Sequence, residues 1–95
     1  MRSSAPSLTD RLHDAIVGWE FTWHTPGLAD LTRLTFSPCL QRSLGRCVPL
    51  TGRITLTTRL RRAPRDRLLE TLCHEVAHVA AYMLHGNAAR PHGPE

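Results

Sequence analysis

The chain has 95 residues, which leaves room for one small domain, since domains usually take about 100–200 residues. Hydrophobic residues make up 41% of the chain and charged residues 21%, a balance that argues against a disordered protein. Every apolar run is far shorter than the ~18 residues of a membrane span. No apolar core follows the first residues, as a signal peptide would require, so we expect a cytoplasmic protein.

The positive charge comes entirely from arginine. The formal net charge is +4, and all 12 basic side chains are arginine. Arginine contacts phosphate and carboxylate groups through a bidentate fork. Five of these residues cluster in one short stretch, namely Arg59, Arg61, Arg62, Arg65 and Arg67. Two interpretations stay open for this cluster: a nucleic-acid contact, and a solvated loop that leads into a helix.

Three cysteines are present, at positions 39, 47 and 73. Their number is odd and no two have CxxC spacing. This pattern predicts reduced intracellular thiols, with neither a disulfide framework nor a cysteine zinc site.

The N-terminal part of the chain predicts one helix. We expect residues 1–7 to form a flexible arm and residues 8–95 to form the domain. Apolar residues at partly helical spacing predict a helix over residues 10–21, with Ser7 or Thr9 as its N-cap. The Pro26-Gly27 pair then breaks the helix.

Three short β-type segments follow. Residues 31–36 predict a strand, and residues 46–50 and 53–58 flank Thr51-Gly52 as a hairpin would. In the last strand, Ile54 and Leu56 face one way while Arg53, Thr55 and Thr57 face the other. We therefore expect an α+β domain with a three-stranded antiparallel sheet.

The clearest element is a helix predicted over residues 64–84. Its apolar residues recur at helical spacing: Leu69, Leu72, Val76, Val79 and Met83. Pro64 and Asp66 suit its first turn, and Gly86-Asn87 suits its end.

This helix carries the HExxH sequence of residues 74–78. His74 and His78 are four residues apart, so they project from one helix face and can share one zinc ion. Glu75 can reach a metal-bound water, take its proton and pass it to the leaving amine. The alternative is a surface helix with two unrelated histidines.

A catalytic zinc site needs a third protein ligand. His85 lies on the same face as His78 but about 10 Å further along the axis, which is too far unless the helix breaks. His92 follows Gly86-Asn87 and can fold back over the cleft, so we favour it over the terminal Glu95. His13 and His24 have no partner pattern and are expected on the surface.

These motifs together resemble the SprT-like zinc metallopeptidase domain. The resemblance covers residues 31–95 and depends on the segments LGRC (44–47), ITL (54–56), LLETLCHEVAH (68–78) and HGPE (92–95). It implies a compact zincin-like α+β domain, with His74, His78 and His92 as zinc ligands and Glu75 as the catalytic base. The chain stops at Glu95, before the aromatic residue and later elements of most relatives. We therefore expect a domain that is incomplete at its C-terminus.

The resemblance also implies an activity: hydrolysis of peptide bonds by a zinc-activated water. We expect an extended protein substrate to bind by strand addition along residues 53–58, with little sequence preference. Some family members digest proteins crosslinked to DNA, and the arginine cluster is compatible with a DNA-associated substrate.

Two other functions stay open. The first is a small HExxH peptidase that cleaves a transcriptional repressor, in which a carboxylate such as Glu95 would be the third ligand. The second is a non-catalytic module in which zinc is structural and the arginine cluster binds nucleic acid.

Overall fold

The structure is a computed structural model that describes residues 7–40 and 42–86. Its elements in chain order are the helices α1 (Leu8–Trp23) and α2 (Leu28–Leu31), the strands β1 (Arg33–Ser37), β2 (Gly45–Val48) and β3 (Arg53–Thr57), a 3₁₀ helix η1 (Thr58–Arg62), and the helix α3 (Arg65–His85). The predicted α+β class is confirmed. No helix in these ranges combines the length and apolar character needed to cross a membrane.

Helix α1 is longer than predicted because both its ends are capped. Ser7 forms a capping box with Asp10, in which the Asp10 N–H donates to Ser7 Oγ at 3.1 Å and the Ser7 N–H donates to Asp10 Oδ2 at 3.3 Å. At the other end, His24 adopts a left-handed conformation with φ 57°. The predicted choice between Ser7 and Thr9 is thereby decided for Ser7.

The sheet is mixed, so the prediction of a wholly antiparallel sheet is wrong. Strands β2 and β3 form the expected antiparallel hairpin, but β1 pairs with β3 in parallel, and the strand order is β1-β3-β2. Strand β1 ends at Ser37 beside Thr57 and β2 begins at Gly45 beside Leu56, so the two strands meet opposite sides of β3 at the same end of that strand. Neighbouring strands lie about 4.8 Å apart, so the connection 38–44 is long enough to pass over the central strand. Sequence periodicity does not distinguish parallel from antiparallel pairing, because β1 shows the same side-chain alternation in both.

The hairpin turn takes four residues, 49–52, where the sequence suggested two. Gly52 has φ 75°, and a Cβ there would overlap the carbonyl oxygen of Leu31. The residue must therefore be glycine for β3 to begin close beneath α2.

The core lies between one face of the sheet and the helices. Ile54 and Leu56 of β3 are fully buried and share one apolar cluster with α1 and α3. Leu72, Val76 and Val79 are buried as predicted. Leu69 is only half-buried, and Leu68 takes the buried position instead, in one row with the buried Leu72 and Val76 at four-residue spacing.

Candidate active site

Helix α3 presents both predicted histidines on one face. The rings of His74 and His78 are 4.9 Å apart between centroids and stand edge to face at 86°. His74 is exposed and His78 is half-buried. Two imidazoles on adjacent helical turns are a donor pair that suits zinc, so this part of the site fits the expected metal.

Glu75 lies where α3 meets the start of β2. A Cβ built on Gly45 would be 3.2 Å from Glu75 Cγ and 3.4 Å from Glu75 Oε2. The carboxyl group therefore lies against the edge strand, in space that any larger residue at position 45 would occupy. It makes no hydrogen bond to another residue in the described ranges. Glu75 is thus half-buried with its proton-accepting oxygens free.

Cys47 shares this junction between strand and helix. Burial and, to a smaller extent, the nearby Glu75 carboxylate raise the pKa of the Cys47 thiol to about 12. The thiol therefore stays protonated at neutral pH. Cys73, on α3, also has a raised pKa because of burial. The three cysteines are free thiols, as predicted.

An open cleft of about 430 Å³ runs along α3 in front of Glu75. Its walls are Leu44 and Gly45 on one side, and Arg67, Glu70, Thr71, His74 and Glu75 of α3 on the other. The α3 residues recur at three- and four-residue intervals, which brings most of them to one helix face. The cleft thus lies between His74 and Glu75 of α3 and the edge strand β2.

The third predicted ligand, His92, lies outside the described residues, and so does its alternative Glu95. His85 is exposed in the last turn of α3. Within residues 7–40 and 42–86, no three His, Cys, Asp or Glu side chains come together where one ion could bind them all. The predicted three-ligand site is therefore not contained in these ranges. His13 and His24 are exposed, as expected.

The structure divides the predicted arginine cluster between two places. Arg59, Arg61 and Arg62 line a separate cavity of about 290 Å³, whereas Arg67 lies in the cleft. Arg65 is exposed at the first position of α3.

Two of the η1 arginines make contacts within the fold. The Arg61 guanidinium lies 4.9 Å from the centre of the Phe36 ring. The Nε of Arg59 donates to Thr57 Oγ1 at 3.2 Å. Arg59 and Arg61 are therefore held by contacts within the fold, and both line the same cavity as Arg62.

Substrate binding along residues 53–58 is excluded by the sheet order. Strand β3 is central, and its hydrogen-bonding edges are taken by β1 and β2. The strand beside the cleft is β2, through Gly45.

Sequence reasoning missed the roles of Gly45 and Cys47 beside Glu75, although both belong to the LGRC segment. The spacing of Arg67, Glu70, Thr71 and His74 was the signal that the cleft extends along α3.

The fold and the site define a small α+β protein with an HExxH helix packed beside the edge of a mixed sheet. The family model described as the SprT-like family matches residues 11–95, and the chain belongs to this family. The SprT-like family is associated with zincin-like metallopeptidases. The match begins well before residue 31, so it takes in most of α1, all of α2 and the whole sheet. No curated protein and no solved structure matches the chain.

Proposed function

We propose that the protein is a zinc-dependent endopeptidase that hydrolyses extended polypeptide. One observation carries the proposal: His74 and His78 lie with their rings 4.9 Å apart on α3, and the intervening Glu75 lines an open cleft. Membership of the SprT-like family supports the same chemistry.

His74, His78 and His92 are the proposed zinc ligands. A bound zinc ion acts as a Lewis acid and lowers the pKa of a coordinated water towards about 7. The HExxH spacing leaves Glu75 beside the pair of histidines without being one of the ligands.

Glu75 is the proposed general base. Its carboxylate has no hydrogen-bond partner in the described ranges, so both oxygens are available to a water in the cleft. It can hold the proton taken from that water and return it to the amine that leaves when the peptide bond breaks. The absence of a side chain at Gly45 leaves the space in which this carboxylate lies beside the cleft.

Strand β2 offers the proposed binding edge for the substrate backbone. The Thr57 N–H donates to the Leu44 carbonyl at 2.9 Å, so this pair is hydrogen-bonded across the hairpin. Hydrogen-bonded and non-bonded pairs alternate in an antiparallel ladder, which turns the backbone groups of Gly45 and Cys47 towards the free edge. An extended peptide can add to this edge and lie across Glu75 with little sequence preference.

DNA-associated proteins are the substrates that the arginine content favours. Arg67 brings a positive charge into the cleft, and Arg59, Arg61 and Arg62 surround a second cavity nearby in the chain. Arginine forks suit phosphate groups. A substrate held on DNA would thus be attracted to the side of the molecule that carries these residues.

The test is the Glu75→Gln variant, which keeps the size of the side chain and removes its basicity. Zinc-loaded wild-type protein should degrade casein, and E75Q should bind zinc with the same stoichiometry while losing turnover. Unchanged turnover in E75Q would exclude Glu75 as the base. Stoichiometric zinc without turnover in the wild type would favour the non-catalytic alternative.

The repressor-cleaving alternative differs in its third ligand. Zinc affinity of His92→Ala and Glu95→Gln, measured separately by competition with a chelating dye, distinguishes the two. Loss of zinc only in E95Q would replace the present proposal with that alternative.

A further inference from the structure

The face of the sheet turned away from α3 collects three arginines from three different strands. Residues aligned by the strand pairing share one face, and Arg33 of β1 aligns with Arg53 of β3. Arg46 of β2 aligns with Thr55, two residues further along β3 on the same face. The three arginines are exposed. Arg46 and Arg53 come from one hairpin, and the parallel pairing of β1 with β3 brings Arg33 to the same face.

This face, defined by Arg33, Arg46 and Arg53 with Thr35 and Thr55 between them, carries no compensating negative charge of its own. The three strands contain neither Asp nor Glu. Within the described ranges, the guanidinium groups of Arg33, Arg46 and Arg53 make no hydrogen bond or ion pair. Arg33 and Arg53 also lie on adjacent strands, about 4.8 Å apart, where like charges destabilise a sheet. An anionic ligand would relieve this repulsion.

The chemistry of the face selects among anionic ligands. Guanidinium forks bind phosphate oxygens in a bidentate manner, and threonine hydroxyls are common phosphate contacts. A protein partner would need an apolar centre on the interface, but among the residues of the three strands the only large apolar side chain exposed on this face is Val48, at its edge. Aromatic side chains, on which unpaired bases stack, are absent from these strand positions too, since Phe36 belongs to the opposite face.

We propose that this open sheet face binds nucleic acid through its phosphate backbone, without base recognition. Arg61 is on the other side of the sheet, because it lies over Phe36, whose side chain is on the α3 side. Arg59 donates a hydrogen bond to Thr57 at the end of the open face and is left unchanged in the experiment below. The open face also lies on the opposite side of the sheet from Glu75. Binding there therefore leaves the cleft open, and it does not depend on whether the protein is a peptidase.

The experiment compares two triple variants that remove the same charge from the full chain. The first is R33Q/R46Q/R53Q, and the matched control is R11Q/R42Q/R65Q, which removes three exposed arginines that lie outside the sheet and outside the η1 cavity. Binding of a fluorescent 20-base-pair duplex and of a 20-nucleotide single strand is measured by anisotropy between 50 and 200 mM salt. Thermal unfolding of each variant checks that the fold is retained, and we expect the sheet variant to be at least as stable as wild type.

We expect the sheet variant to bind duplex about tenfold or more weakly at low salt. The plot of log affinity against log salt concentration should be less steep for this variant, by about 2 to 3 in slope. This is close to 0.9 for each phosphate that the variant no longer neutralises. The control should change affinity much less. A third variant, R33K/R46K/R53K, should keep most of the salt slope because the charges remain.

Three results would overturn the proposal. Equal reductions of affinity in the two matched variants would mean that net charge alone governs binding. Competition by poly-glutamate as strong as by duplex of equal charge would point to an acidic protein instead. Single-strand binding that is tighter than duplex binding and insensitive to salt would indicate base stacking elsewhere on the molecule.

Discussion

Gly45 on the edge strand and Glu75 on the HExxH helix are in direct contact, with no room for a side chain between them. A Cβ at position 45 would come within 3.2 Å of Glu75 Cγ and 2.9 Å of Leu56 Cδ2. Glycine is needed here for space, since no left-handed conformation is involved. The contact fixes how closely the candidate base approaches the strand that is proposed to bind substrate.

Replacing Gly45 with alanine should therefore displace the Glu75 carboxylate and lower turnover. Contacts of 3.2 and 3.4 Å require the Glu75 side chain to move by a few tenths of an ångström. Since a shift of about 1 Å in a catalytic group can cost about 100-fold, we expect a smaller loss in kcat, of roughly 5- to 10-fold, with zinc stoichiometry unchanged. Peptidase kinetics and metal analysis on the same preparation measure both quantities. Gly18→Ala is the matched control, because a Cβ there meets nothing within 4 Å and the residue lies in α1.

A double variant tests whether the loss of turnover comes from the contact of the added methyl group with Glu75 or from its contact with Leu56. In G45A/L56V the clash with Leu56 is relieved while the close approach to Glu75 remains. Turnover should stay low although thermal stability recovers. If turnover returned with the stability, Gly45 would matter for core packing alone.

The third zinc ligand should be His92 and not His85. Both lie after His78, but α3 holds His85 in its last turn, about 10 Å along the axis from His78. We expect His92→Ala to lose stoichiometric zinc and His85→Ala to keep it, as measured by metal analysis after dialysis. Retention of zinc by H92A would disprove this ligand set.

The Cys47 thiol should alkylate slowly, and the Glu75 charge should contribute to this. Burial and the Glu75 carboxylate raise the pKa of Cys47 to about 12. Only the thiolate reacts, so at pH 8 iodoacetamide should modify the exposed Cys39 first, as read by mass spectrometry of tryptic peptides. In E75Q the pKa should fall and the rate at Cys47 should rise, whereas the rate at Cys39 should not change. Equal rates at Cys47 with and without the Glu75 charge would contradict their proximity.

The raised pKa of Cys47 also predicts how the stability of the fold changes with pH. The folded-state pKa of Cys47 lies above the ordinary value of 9.0, so the folded state holds this proton more tightly than the unfolded state. Its contribution is therefore complete below about pH 9 and is lost as the pH rises towards 12. The free energy of unfolding, measured in urea, should fall between pH 8 and pH 10. The fall should be smaller in Cys47→Ala than in the wild type.

Adjacent leucines on α3 should respond very differently to truncation. Leu68 is 1% exposed in the core, whereas Leu69 is only half-buried. Truncation of a fully buried leucine costs about 2–5 kcal/mol, so Leu68→Ala should fall in that range and Leu69→Ala below it. Chemical denaturation measures both. The reverse order would mean that α3 is rotated relative to the sheet.

Local patterns in the sequence were enough to predict α1, the β2–β3 hairpin and α3, because capping, alternation and helical spacing act between near neighbours. The same locality explains why the pair of His74 and His78 was predictable: four residues of helix place two side chains side by side whatever the helix packs against. Membership of the SprT-like family agrees with the motifs recognised along residues 44–78.

Three features depended on packing between distant segments, and the tertiary structure alone decided them. The direction of β1 is decided by its pairing with β3, and side-chain alternation is the same for parallel and antiparallel neighbours. The contact of Gly45 with Glu75 and the gathering of Arg33, Arg46 and Arg53 arise only when strands and helix come together. Short-range spacing specifies which side chains share an element, whereas burial of the common apolar core determines which elements, and hence which functional groups, become neighbours.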